Sequence, residues 1–145
     1  MYVEGLIIVM DLDRFEEYVE ERGLDPYKPN LITGTLTELV ERFASKWRGV
    51  VVYGLDRERG TEEAVIEIPY GHEYLDSIVR DLEEIKREIN RLGASITIVV
   101  VKDYTYPQTA SSRREAYYGT PGRRRAWREV RRLKRLGGNR ILVLA

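Results

Sequence analysis

A chain of 145 residues, 43% apolar and 33% charged, suits one folded domain with a real core and excludes disorder. It has no cysteine and a single histidine, His72, which excludes disulfides, thiolate metal sites and a His-rich zinc site. The formal net charge is zero, yet residues 1–112 carry 13 Lys/Arg against 22 Asp/Glu, and residues 113–145 carry 11 against 2. An acidic body with a basic end implies self-complementarity, within one chain or between two, or a phosphate ligand held between a carboxylate-bound metal and cationic side chains. The richness in Arg and Glu fits a thermophile. No apolar run approaches the roughly 20 residues of a membrane helix. The opening segment has neither a basic start nor a small-residue cleavage site, so a cytoplasmic protein with no membrane contact is expected.

Gly5 to Met10 is a continuous apolar run, the mark of a strand covered on both faces, and it ends in Asp11-Leu12-Asp13. A short helix is predicted over Arg14 to Glu21, a loop with Pro26 and Pro29 over Gly23 to Asn30, and a helix from Thr33 or Thr35 to Lys46. Gly49 to Gly54 reads as a strand, Asp56 to Gly60 as a hairpin turn, and Glu63 to Pro69 as the returning strand. Glu73 to Leu92 carries one apolar stripe and ends at Gly93, as a long amphipathic helix should. Ser95 to Lys102 is a β-branched strand, and residues 103–122 read as irregular. A helix over Arg123 to Leu136 and a last strand over Arg140 to Leu144 close the chain. The order β-α-α-β-β-α-β-α-β, without repeat or linker, contains the β-α-β-β-α-β unit of a ferredoxin-like α+β domain spanning 1–145, with an antiparallel sheet and helices packed on it.

Asp11 and Asp13 share strand parity at the end of a central strand, where ligands of α/β domains bind. Hard cations need only one or two carboxylates plus phosphate oxygens, so both are candidate metal ligands; the alternative is that they cap the next helix. Glu62 and Glu63, just past the hairpin, would face Asp11 across adjacent strands, an arrangement suited to two-metal chemistry; the alternative is ordinary turn charge. A third feature is the basic helix, with Arg123, Arg124, Arg125, Arg128, Arg131, Arg132, Lys134 and Arg135 around a thin apolar stripe. It suits a triphosphate, RNA or an acidic partner, or is simply a solvated face. Residues 110–112 with Tyr117 to Gly119 suggest a flap. His72 reads as a cap or surface residue.

These segments resemble a known family. Asp11-Leu12-Asp13-Arg14-Phe15 is similar to the Asp-Ile-Asp-x-Phe segment of GGDEF nucleotidyl cyclase domains. Gly60 to Pro69 is similar, without gaps, to the signature hairpin, its strand and closing proline, and Lys134 to Arg140 to the Lys-x-x-Gly-x-Asn-Arg ending. The signature departs at Thr61 and Ala64, the guanine-reading Asn and Asp have no clear counterpart in Tyr18 to Asn30, and Gly138 stands at a phosphate-binding arginine. The chain also resembles the archaeal GTP cyclohydrolase III group, whose members carry two palm repeats, so that a homodimer would restore the pair. Small palms related to the CRISPR polymerases are a further relation.

The resemblance implies a palm that holds a nucleoside triphosphate, GTP or ATP, with Mg²⁺ or Mn²⁺. Asp11, Asp13, Glu62 and Glu63 would serve the metals, and Glu62 and Glu63 the catalysis. Leu12, through its backbone, would help Asp11 hold the metal, Lys134 would bind the phosphates, and Asn139 and Arg140 would complete the cofactor-binding set. Cyclisation, dinucleotide synthesis and hydrolysis all stay open. The alternatives are a palm that binds nucleotide or RNA without turnover, the RNA by charge and by stacking on Trp127, Tyr117 and Tyr118, or a dimerising partner subunit.

Overall fold

A computed structural model of the chain describes residues 2–145. The apolar run at the start forms β1 (Val3–Leu12), whose residues from Gly5 to Met10 are all buried. It is the central strand of a five-stranded sheet of order β2-β3-β1-β4-β5, with β2 (Val50–Tyr53), β3 (Glu63–Pro69), β4 (Ile96–Thr105) and β5 (Ile141–Leu144). β1 pairs antiparallel with β3 from Gly5↔Pro69 to Asp11↔Glu63, and with β4 from Val3↔Thr105 to Leu12↔Ile96. The first four strands form the expected ferredoxin-like unit. The sheet is mostly antiparallel, as expected, except at its edge: β5 runs parallel to β4, because the chain between them crosses a face of the sheet and re-enters in the same direction.

Helices cover both faces, which is why β1 reads as an unbroken apolar run and β3 and β4 are mostly apolar. Leu6, Ile8, Met10 and Leu12 pack with α1 (Phe15–Glu21), α2 (Leu31–Trp47) and α3 (Leu75–Arg91). Ile7 and Val9 face the opposite way, against α4 (Arg113–Tyr118) and α5 (Pro121–Arg135). α2 starts earlier than expected because Asn30 and Thr33 form a reciprocal capping box. A 3-10 turn, Gly71–Tyr74, precedes α3; His72 within it caps nothing, and its Nδ1 is buried without a hydrogen-bond partner.

The segment read as irregular differs most. β4 runs on to Thr105, and α4 follows with Ser112 as its cap, accepting from the Glu115 amide. In place of a flap, Tyr117 is buried and stacks on Trp127 at 4.1 Å between centroids. Thr120 caps α5 by accepting from the Arg123 amide, and Pro121 supplies the first helical residue. Among the described residues no helix is long and apolar enough to cross a membrane.

Candidate functional site: a cation held at the end of the central strand

The site lies where β1 ends. Strand alternation puts Asp11 on the α4/α5 face with Ile7 and Val9, and its register partner Glu63 on that same face with Val65. Glu62 precedes the strand: its backbone oxygen accepts from the Leu12 amide at 2.9 Å, and with Glu63 it lines the cleft beside the β2–β3 hairpin. Its carboxyl is held up by burial, countered by Arg59 and reinforced by Glu63 and Glu16. Of the expected acidic pair, Glu63 is Asp11's register neighbour, and both glutamates open onto one cleft.

The hairpin that delivers these residues is seated on α2. Gly60 has φ +91°, and a Cβ there would stand 2.1 Å from Thr33 Oγ1, so only glycine fits. Thr61, which departs from the resembled signature, is fully buried and shares a 2.7 Å hydroxyl hydrogen bond with Thr37. Its side chain anchors the hairpin to the helix.

Lys134 reaches across from α5 and sets its ammonium among three oxygens. It donates to the Leu12 carbonyl at 2.9 Å and to Asp13 Oδ1 at 3.0 Å, and lies 3.2 Å from Asp11 Oδ2. Burial pushes the Asp11 carboxyl up from 3.8 to about 6, a rise opposed by Lys134 and helped by Glu63 and Asp13.

Asp13 has a different occupation from the expected metal ligand. Its Oδ1 also accepts from Thr97 Oγ1 at 2.7 Å, and its Oδ2 accepts from Ser95 Oγ at 3.0 Å and the Asn139 amide at 2.8 Å. All four acceptor positions are taken. Asp13 ties β1, β4 and the turn after α5 together and orients Lys134.

Asn139, expected at the nucleotide, gives its amide to Asp13 and accepts from Asn90 through its side-chain oxygen. Arg140 donates to the Leu136 carbonyl at the end of α5 and is exposed. Gly138, where the resembled family has an arginine, has φ +66°, and a Cβ there would sit 2.7 Å from the Asp13 carboxylate. Because that carboxylate is pinned on every side it cannot give way. Gly138→Ala is expected to lower stability by about 1–3 kcal/mol, read as a lower urea midpoint with unchanged slope.

Glu63 carries partners that sequence reasoning missed. The Tyr117 hydroxyl donates to it, and Arg113 donates from Nε at 3.2 and 3.3 Å. Burial, then the Glu63 charge, holds the Tyr117 hydroxyl well above the ordinary phenol range, so it stays a donor. The Arg113 guanidinium lies over the Tyr117 ring at 4.9 Å and the Trp127 ring at 5.4 Å. The stacking platform expected for RNA is thus consumed inside the fold, apart from Tyr118, which is 46% exposed.

Two clefts flank the cation site. One of about 420 Å³ opens beside Glu62 and Glu63, between the β2–β3 hairpin and Thr109-Ala110. The other, about 690 Å³, lies on the α1 side and is lined by Asp13, Arg14, Tyr18, Asn90 and Asn139 among others. Both fall in the size range of small-molecule sites. Among the described residues no three His, Asp or Glu side chains converge as a ready-made metal cage. The donor set is nonetheless all oxygen and already holds a cation, which fits a hard ion that keeps waters and phosphate oxygens in its shell.

Compared with known proteins, the chain matches no protein-family model and no curated protein.

Proposed function

We propose that the chain is a metal-dependent nucleoside triphosphate-binding palm of the GGDEF-like kind, taking GTP or ATP. The observation that carries this reading is the cation site itself: the Asp11 carboxylate and the Leu12 carbonyl converge on one positive charge, with Glu63 beside them. The three segments that carry the resemblance also meet at this end of the sheet, through the Leu12–Glu62 and Lys134–Leu12 hydrogen bonds. Asp11 and the Leu12 carbonyl would hold Mg²⁺ or Mn²⁺, with Glu63 adjacent, and the ion would neutralise and orient the phosphates. Lys134 is positioned to move from these oxygens to a phosphate.

Asp11 also works against folding, as groups kept for function often do. The folded protein binds the Asp11 proton more tightly than the unfolded chain does. Stability therefore falls as pH rises from about 4 to about 6, and the ionised carboxylate costs on the order of 2 kcal/mol above that window.

The test is titration of GTP and ATP into metal-free protein, with and without Mg²⁺, for the wild type and Asp11→Asn. Metal-dependent binding in the wild type is expected to weaken by tenfold or more in the variant, whose melting temperature at pH 7.5 is no lower than that of the wild type. Binding that ignores both Mg²⁺ and the substitution, or no binding at all, overturns the reading.

A further inference from the structure

α5 has a second, outward face that the cation site does not use. Its buried side is made of Gly122, Arg123, Ala126, Val130 and Leu133, and Lys134 points to the site. Arg124, Arg125, Arg128, Arg131, Arg132 and Arg135 are all exposed. At 100° per residue these six fall within one third of the helix circumference, along a row about 17 Å long.

The acidic body does not neutralise this face. Among the described residues, three clusters of ion pairs join 113–145 to the rest of the chain: Arg113 with Glu63, Arg123 with Glu67, and Lys134 with Asp11 and Asp13. None uses the outward row. Arg132 pairs with Glu129 on its own helix and Arg124 donates to the Tyr118 carbonyl, whereas Arg125, Arg128, Arg131 and Arg135 have no hydrogen-bond or ion-pair partner among the described residues. Like charges three and four residues apart destabilise a helix, so a packed, uncompensated row of them calls for an external anion.

We infer that the outer face of α5 is a docking surface for a single strand of nucleic acid, gripped through its phosphates. Arginine is suited to phosphate through its planar, bidentate fork, and one narrow row of cations tracks one backbone. A duplex of the same length as the strand is the control that the experiment below includes. α5 is seated on β1 and β4. Its apolar side is consumed by the sheet, which leaves nothing to insert into a lipid surface. An acidic patch on a second copy is the competing occupant, which the mass measurement below separates. This inference goes beyond the triphosphate site and does not depend on it.

The experiment is fluorescence anisotropy of a labelled oligouridylate of about 12 nucleotides with the full chain in EDTA, so that metal plays no part. Four phosphate contacts predict an affinity that drops about 50-fold between roughly 50 and 200 mM salt, a log–log slope near −2.8. Arg128→Glu/Arg131→Glu is expected to halve that slope and weaken low-salt binding by tenfold or more. Arg80→Glu/Arg87→Glu, the same charge change on α3 across the sheet, is expected to leave the slope unchanged; circular dichroism verifies the fold of both variants. Equal losses in the two variants overturn the inference in favour of net charge alone. It is likewise overturned by no binding at low salt, by tighter binding of duplex DNA of the same length, or by a low-salt increase in mass without nucleic acid that Arg128→Glu/Arg131→Glu abolishes. These outcomes leave the Asp11 titration untouched, so the two readings fail separately.

Discussion

Glu67→Ala is expected to cost about 3–5 kcal/mol of stability, a large part of the roughly 5–15 kcal/mol that holds a domain of this size together. Glu67 sits in the middle of β3 with its side chain fully buried, and it faces Arg123 of α5, which is 1% exposed. Arg123 Nε donates to Glu67 Oε2 at 2.6 Å, while Oε1 accepts from the Tyr106 amide. The rest of the guanidinium donates to the Tyr106 carbonyl at 2.8 Å and the Glu115 carbonyl at 3.3 Å. Removing the carboxylate strands a buried cation and orphans a backbone amide at once. Removing both charges is different: Glu67→Met/Arg123→Met is expected to recover the part due to the stranded cation, while the Tyr106 amide stays unpaired. Urea midpoints of the two single variants and the double variant check this as a cycle. A loss under about 1 kcal/mol for Glu67→Ala would show that water reaches the pair. The pair locks α4, α5 and the Tyr106 segment onto the sheet, and so fixes where Lys134 and Arg113 project.

That pair also marks how far the sequence could be read. β1 was legible because burial on both faces writes an unbroken apolar run, β3 as the return of a hairpin, β4 by its β-branched residues, and α3 because its single stripe ends at a glycine. The parallel edge strand was not, since nothing local distinguishes a strand that re-enters parallel from one that folds back. α4 was missed because a six-residue helix spans too few turns to show a period, and its Ser, Tyr and Gly neighbours are those of a loop. That hairpin carboxylates lie beside Asp11 followed from the expected palm, in which this hairpin flanks the end of the first strand; that Glu63 and not Glu62 is the register partner did not. The other partners of Asp13 did not, because Ser95, Thr97 and Asn139 come from two distant places in the chain. Arg123 was hidden by its company in a run of arginines. The signal was present in the angle, since it projects on the side of Ala126 and Val130, and in Glu67, a lone carboxylate inside the apolar run of β3.

Lys134→Met is expected to move metal and nucleotide affinity in opposite directions. In the free protein the Lys134 ammonium occupies the Asp11 and Leu12 oxygens that the proposed metal would use, so ion and lysine compete for one set of donors. A divalent ion and an ammonium about 4 Å apart repel by roughly 8 kcal/mol at the effective dielectric of a partly buried site. Metal entry therefore requires Lys134 to leave. A triphosphate gives it somewhere to go, which makes nucleotide and metal binding mutually reinforcing. Replacing Lys134 by Met clears the donors while Asp13 keeps its bonds to Thr97, Ser95 and the Asn139 amide. Mn²⁺ affinity without nucleotide, followed by the paramagnetic signal of the free ion, should rise by at least tenfold. GTP or ATP affinity at saturating Mg²⁺ should fall by a similar factor as the phosphates lose a cation. A simple structural role for Lys134 would lower both affinities together and depress the melting temperature with them. Opposite movements, even with a lower melting temperature from the unpaired Asp11 and Asp13, would identify the lysine as the occupant that nucleotide binding displaces.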